Sequence, residues 1–272
     1  MPSRPLLLLL ALARAAAGVD LSPCSGALRA GRYEEARKLC EQAAEEFGAA
    51  KDYRGQSNAT NLAGNALLRL GNLDEARRRY QKATELAMQA GDDEGVALRL
   101  NNLGGVDYFA GRYEDAERHY ADAAAWIAAR GGAADWAAPV ALTTAVNQAT
   151  LLQRLGRDRA ALDLYLKLRP QAKRLHADEE GRMLANMGAL YRSLGDPYRA
   201  RQLYTEALTR FQAAKSAHGV SGALKNLGIA EAVEFGNYAE ARRLFDQVLR
   251  MARASGNRRE ELVAGLYLAE TA

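Results

Sequence analysis

The sequence predicts an all-α solenoid of about six helix–turn–helix repeats followed by one more helix, and three observations carry that prediction. Glycines at 31, 71, 111, 156, 195 and 236 recur with a period near 40 residues. Five residues after each stands an alanine: Ala36, Ala76, Ala116, Ala161, Ala200 and Ala241. Nine residues after each stands Cys40, Tyr80, Tyr120, Tyr165, Tyr204 or Phe245, and twelve after stands Ala43, Ala83, Ala123, Leu168, Ala207 or Val248. Offsets of five, nine and twelve place all three residues on one face of a helix. Composition agrees. Only 7% of the residues are aromatic and alanine is abundant, which favours closely packed helices over a β-sandwich.

The opening segment reads as an address. Arg4, an apolar run at 6–13 and Ala15-Ala16-Ala17-Gly18 make a secretory leader over 1–18. The run is shorter than the roughly 20 residues of a membrane span. Arg14 interrupts its tail, and an unstructured start is the alternative. Export to a periplasmic or extracellular compartment is expected, with no membrane span. Without Arg4 and Arg14, 35 basic residues would face 33 acidic ones, a balance that argues against nucleic acid as a partner.

The repeats then follow in order over 20–257. Seven residues before the turn glycine the side chain is minimal: Cys24, Gly64, Gly104, Ala149 and Gly188. Repeat six has Gly228 eight residues before Gly236, so one residue is inserted there. A small residue lets the two helices of a hairpin approach, and the alanine and aromatic of the second helix fill the space. Asn72 with Glu75, and Asn237 with Glu240, read as capping pairs for second helices. Asp196-Pro197 supplies a cap and a first-turn proline in repeat five, and Pro139 opens the first helix of repeat four. Gly131-Gly132, flanked by Trp126 and Trp136, marks a longer loop before repeat four. That repeat also departs in Asp158 and in Pro170, which predicts a bend or a looser hairpin.

This pattern resembles the tetratricopeptide repeat. The stretch Asn102-Leu103-Gly104, Gly111-Arg112-Tyr113-Glu114-Asp115-Ala116, Tyr120 and Ala123 carries the motif nearly complete. The period of about 40 resembles the long-helix branch typified by kinesin light chains. The resemblance implies a right-handed superhelix with first helices lining a concave groove, because single hairpins bury their apolar faces only by stacking.

In that repeat the places of Cys24 and Cys40 face each other across one hairpin. A disulfide between them would close a loop of about 15 residues, worth roughly 3 kcal/mol, and would suit an oxidising compartment. Two buried free thiols are the alternative.

Groups for chemistry are scarce. The chain has no phosphate-binding Gly-rich loop with Lys and Ser/Thr, no His-Glu-x-x-His and no Gly-x-Ser-x-Gly. His119, His176 and His218 fall in different repeats, and His119 reads as solvated. No catalytic residue, cofactor or metal is expected. The triple Arg77-Arg78-Arg79 reads as convex surface charge.

The informative residues lie on the predicted groove. Nine residues before the turn glycine stand Asn102, Asn147 and Asn186, joined by Asn226 once the insertion is allowed for; Asn61 stands one position out of phase. Asparagine is a mediocre helix former, and each amide both donates and accepts. The resemblance to kinesin light chain-type repeats implies that such a row brackets an extended peptide backbone. The alternative is that the amides bond between adjacent first helices and hold the solenoid together. Tyr108, Gln153, Arg182 and Arg192 flank the row, and the two arginines suit an acidic residue of a ligand.

Residues 258–272 resemble the first helix of a seventh repeat, too apolar for an end cap. A homodimer through this helix, or continuation into a longer protein, would cover it. The expected function is a non-catalytic scaffold binding a protein or peptide segment in the groove. The alternative is an N-terminal regulatory or sensor arm of a larger signalling protein or protease, for example of the CHAT type, with RNA binding a third reading.

Overall fold

A computed structural model of the chain describes residues 19–271, so the leader read over 1–18 lies outside the described residues. Thirteen α-helices follow one another among them: α1 (Ser22–Arg29), α2 (Tyr33–Ala49), α3 (Tyr53–Arg69), α4 (Leu73–Gln89), α5 (Asp93–Phe109), α6 (Tyr113–Arg130), α7 (Ala137–Arg154), α8 (Asp158–Leu168), α9 (Ala177–Ser193), α10 (Pro197–Ala213), α11 (Ala217–Val233), α12 (Tyr238–Ser255) and α13 (Arg258–Glu270). Consecutive helices pair as antiparallel hairpins, the all-α solenoid the sequence predicts. The chain divides into two compact units, one running to Asn147 and one from Gln148 onward, and the division falls within α7.

In the N-terminal unit α1/α2, α3/α4 and α5/α6 form three hairpins. Gly31, Gly71 and Gly111 take φ of 72°, 82° and 76°, a left-handed turn that a Cβ would strain. This lets the N–H groups of Arg32, Asn72 and Arg112 reach back to the carbonyls of Ala27, Leu67 and Asp107, which closes each first helix. Ala36, Ala76 and Ala116 are fully buried, and so are Cys40, Tyr80 and Tyr120 four residues on. A Cβ on Gly64 would lie 2.7 Å from the ring of Tyr80, and one on Gly104 would lie 2.4 Å from that of Tyr120. The minimal residue of each first helix is therefore the seat of the aromatic of its own second helix. In repeat one that seat and its aromatic are replaced by a disulfide between Cys24 and Cys40, with Cα atoms 5.2 Å apart.

The caps are distributed differently from the sequence expectation. Asn72 makes no side-chain cap. The caps of this unit instead open first helices: Asp52 accepts from the Gly55 N–H at 2.9 Å and Asp92 from the Gly95 N–H at 3.2 Å. Glycine follows the cap because the space is taken. A Cβ on Gly55 would strike the Phe47 ring at 2.4 Å, and one on Gly95 would strike the Asp92 carboxylate at 2.2 Å. The loop at 131–136 lies between α6 and α7, and Trp126 and Trp136 pack beside Ala97, Ile127, Ala137 and Val140.

In the C-terminal unit the second helix of repeat four is short. It stops at Leu168, and a 3-10 turn over Arg169–Arg174 carries Pro170 at its start. Proline has no N–H to continue the α-helical ladder, so the expected looseness of this hairpin takes the form of a broken helix. The hairpins α9/α10 and α11/α12 regain the full pattern, with Gly188 against Tyr204 and Gly228 against Phe245 at 2.7 and 2.6 Å for an added Cβ. Asp196 caps α10 through the Arg199 N–H, with Pro197 at its first turn, and Asn237 caps α12. Ser216 and Asn257 cap α11 and α13. None of the described helices is long and apolar enough to cross a membrane.

Candidate partner-binding face

First helices of consecutive repeats touch one another in the N-terminal unit, α1 with α3 and α3 with α5. Along α3, Arg54, Asn58, Asn61, Asn65 and Arg69 follow at steps of three or four residues and form one face. All five are half-buried or exposed, while the intervening Ala59, Ala63 and Ala66 are buried. Ser25 and Arg29 on α1, and Leu98, Asn102 and Phe109 on α5, continue the surface.

This face is cross-tied. The Asn102 amide donates to Asn61 Oδ1 at 2.8 Å, and one turn earlier Arg99 donates to Asn58 Oδ1. The Asn147 amide donates to Asn101 Oδ1 at 3.0 Å. The ladder has a rule: the asparagine nine residues before a turn glycine donates to an asparagine ten residues before the previous one. Asn61, out of phase as a donor, is in phase as an acceptor. The double asparagine Asn101-Asn102 serves both roles in one repeat, and that doublet was the available sign in the sequence.

Where the acceptor changes, the bond changes. Repeat four has Val146 ten residues before its glycine, and the Asn186 amide turns to Thr150 Oγ1 at 3.3 Å and to the Tyr165 hydroxyl at 3.1 Å. Repeat five has Ala185 at that place, and Asn226 is half-buried on α11. The remaining predicted residues are spread out. Tyr108 packs its ring against Phe109 and Tyr113 at the turn end of α5, with centroids 5.5 and 6.1 Å away. Gln153 is half-buried near the end of α7. Arg182 is exposed but pairs within its own helix, 3.4 Å from Asp178 and 3.8 Å from Glu179. Arg192 is exposed and lies near Tyr204, whose hydroxyl burial holds above its ordinary pKa.

Sequence reasoning missed a buried polar hub. Asp107 on α5 is fully buried and receives Arg77 from α4 at 2.9 Å, Arg112 at 2.8 Å and His119 from α6 at 2.9 Å. His119 is therefore not solvated. Its position one residue before the core Tyr120 turns it toward α5 rather than outward. Arg77 and Arg79 likewise tie helices together: Arg79 meets Glu41 of α2 at 2.9 Å, and only Arg78 of the triple is largely exposed. Arg99 is nearly buried, which lowers its guanidinium pKa against the pull of Asp92 and Glu94. Tyr80 and Tyr120 are raised above the ordinary phenol value by burial. Arg29 and Arg69, two residues before successive turn glycines, have no ion-pair partner among the described residues.

The hairpins, their turn glycines and the stacked first helices define an α-helical repeat array with an open polar face. The tetratricopeptide repeat model matches over residues 26–89, 55–126, 140–213 and 179–254, and the chain belongs to this family. No curated protein matches it. Solved structures share the fold at low identity. The APC/C hetero-tetramer Cut9–Hcn1 is 14% identical over 90% of this chain and 40% of that chain, with a TM-score of 0.64. The Rap conjugation gene regulator of plasmid pLS20, solved with the Phr* peptide, is 13% identical over 92% and 71%, with a TM-score of 0.66. A signal transduction ATPase with a tetratricopeptide repeat sensor from Pyrococcus horikoshii is 17% identical over 90% and 39%, with a TM-score of 0.58. The chain thus spans about two fifths of the length of two of these relatives.

Proposed function

We propose that this chain is a non-catalytic interaction scaffold that binds an extended segment of another protein on the open face of its first helices. The observation that carries this reading is the Arg54–Asn58–Asn61–Asn65–Arg69 stripe of α3. It presents amides and guanidinium groups from a helix whose intervening Ala59, Ala63 and Ala66 are buried, and its cross-ties to α5 hold it in place before any ligand arrives. Preorganised donors and acceptors suit a peptide backbone, because little side-chain freedom is lost on binding. Arg29 and Arg69 add charge for an acidic side chain of the ligand. The peptide-bound Rap structure supports the reading, since the same fold there accompanies a bound peptide.

The test is selection from a displayed random peptide library, followed by calorimetry with the enriched sequences. Enriched peptides should carry acidic residues, and Arg29→Glu/Arg69→Glu should weaken them about tenfold or more. Affinity unchanged in that variant would reject this face.

Two further elements belong to the same proposal. The Cys24–Cys40 bond supports export through the leader at 1–18, as disulfides persist in oxidising compartments. The 17-residue helices of repeats two and three support the likeness to the kinesin light chain branch. A second reading, the sensor arm of a larger signalling protein or CHAT-type protease, is favoured by the P. horikoshii ATPase, in which a repeat sensor is part of a longer chain. Sequencing of the intact transcript decides it: an in-frame catalytic domain supports the arm, and a stop codon after 272 rejects it.

A further inference from the structure

We infer that α2, α3 and α4 enclose a pocket for a small zwitterion, a free α-amino acid with an apolar side chain such as leucine or methionine. A cavity of about 350 Å³ opens between these three helices, at the small end of the roughly 300–1,000 Å³ range of ligand sites. Its residues on α3, Gln56, Thr60 and Ala63, lie on the side of that helix turned away from the Arg54–Asn58–Asn61–Asn65–Arg69 stripe. The matching junction between repeats five and six is filled. There Leu208, Val220, Leu224, Leu227 and Leu244 of α10, α11 and α12 belong to one apolar cluster. Counted from the turn glycines, with the inserted residue of repeat six allowed for, the corresponding residues of repeats one and two are Ala44, Gln56, Thr60, Ala63 and Arg79. All five line the cavity. Where leucine gives way to alanine or threonine in a packed interior, a void of leucine-like shape is left.

The walls of the cavity carry opposite charges. Glu41 and Glu45 line it from α2, and Arg79 and Lys82 from α4. Glu41 meets Arg37 at 2.7 Å and Arg79 at 2.9 Å, Arg79 also meets Glu75 at 3.1 Å, and Lys82 meets Glu85 at 3.3 Å. Glu45 is exposed and has no ion-pair partner among the described residues. The Lys82–Glu85 pair lies in solvent, with side chains 57% and 63% accessible, so it is weak and yields Lys82 to a ligand. An ammonium group on Glu45 and a carboxylate on Lys82 and Arg79 match both walls at once. The apolar side chain of the same ligand then lies over Ala44, Ala63 and Leu86, in the space that leucines take in repeat six. A simple amine leaves the basic wall unmatched, and a simple acid meets Glu45 as a like charge.

The experiment is calorimetry and thermal melting of the full chain with leucine and methionine, beside isocaproate and isoamylamine, which lack leucine's ammonium and carboxylate in turn. Leucine or methionine should bind and raise the melting temperature, and each half-ligand should bind about tenfold more weakly or worse. Glu45→Gln and Lys82→Gln should each weaken binding about tenfold at unchanged helicity. Thr60→Leu/Ala63→Leu refills the cavity as repeat six does. It should raise the melting temperature of the free chain and abolish binding. The two charge variants touch no core residue, so they decide the matter even where the refilled chain fails to fold. Absence of binding by both amino acids at millimolar concentration overturns the inference and leaves the void to water. Binding undiminished in Glu45→Gln, retained in the folded Thr60→Leu/Ala63→Leu variant, or matched by isoamylamine overturns it as well.

Discussion

The two units use one motif and hold themselves together differently. In the N-terminal unit, polar side chains run between helices of neighbouring repeats: Asn61 with Asn102, Asn101 with Asn147, and Asp107 with Arg77 from the preceding repeat. In the C-terminal unit the links between repeats use other groups, Asn186 with Thr150 and Tyr165 and Glu260 with Ser221 and Lys225, beside an apolar cluster of Tyr204, Leu224, Leu227, Leu244, Val248 and Ala264. The difference comes down to a few positions. Val146 and Ala185 stand where Asn61 and Asn101 stand earlier, and each removes the acceptor that the next asparagine needs. A row of donors that recurs from repeat to repeat thus has different roles in different repeats, because a hydrogen bond needs both partners.

The largest expected effect on this contrast comes from the disulfide. Only the N-terminal unit carries one, so Cys24→Ser/Cys40→Ser should cost about 3 kcal/mol by the loop-closure estimate. Denaturant melts should show that loss in the transition of the N-terminal unit and none in the other. A chain whose stability ignores reduction would contradict this.

Glycines sharpen the comparison next. Gly104→Ala would push a methyl into the Tyr120 ring, 2.4 Å away, and should destabilise by roughly 1–3 kcal/mol. Gly265→Ala meets open space on an exposed helix and should stabilise by up to about 1 kcal/mol. Equal effects in thermal melts would mean that the aromatic seat does not set hairpin spacing.

Asparagines follow. Asn102→Leu leaves Asn61 without its donor and should cost about 1 kcal/mol. Asn226→Leu, on a first helix whose predecessor offers Ala185 in place of the acceptor, should change stability by less than about 0.5 kcal/mol. The same pair of variants separates ladder from ligand. If Asn102 serves chiefly the ladder, its loss lowers the melting temperature more than it lowers affinity for a selected peptide.

The smallest effect is one of pH. Burial disfavours the Glu260 carboxylate, but hydrogen bonds from Ser221 and Lys225 outweigh it and hold its pKa below the ordinary value. A depressed carboxyl contributes stability that is present above its unfolded pKa and lost as pH falls through its folded one. Hydrogen-exchange protection in α13, taken relative to intrinsic amide rates, should therefore fall in mild acid, and Glu260→Gln should flatten that dependence. An acid response unchanged in Glu260→Gln would assign it to another group.

Most of the hairpin plan was legible in the residues. Turn glycines, buried alanines and aromatic seats are local features at fixed offsets, and helical periodicity converts offset into face. The broken second helix of repeat four was readable from Pro170 for the same reason. The capping of first helices by Asp52, Asp92 and Ser216 was readable in principle, since each has a glycine three residues on, but the second-helix asparagines drew the expectation elsewhere. Of the candidate site, the phase of the asparagine row was legible, and its bonding was not.

By itself, then, the sequence determined which residues form hairpins, where each turns and which side of each helix is apolar. The period and the steric demands of glycine, alanine and tyrosine act within one repeat. Only the tertiary structure decided that Asn61 accepts from Asn102, that His119 and two arginines converge on Asp107, and that Arg182 spends its charge on its own helix. Those pairings join groups up to about forty residues apart, and a one-residue shift between neighbouring helices redirects them. That register is set when hairpins stack, by the fit of whole side-chain layers rather than by any local spacing.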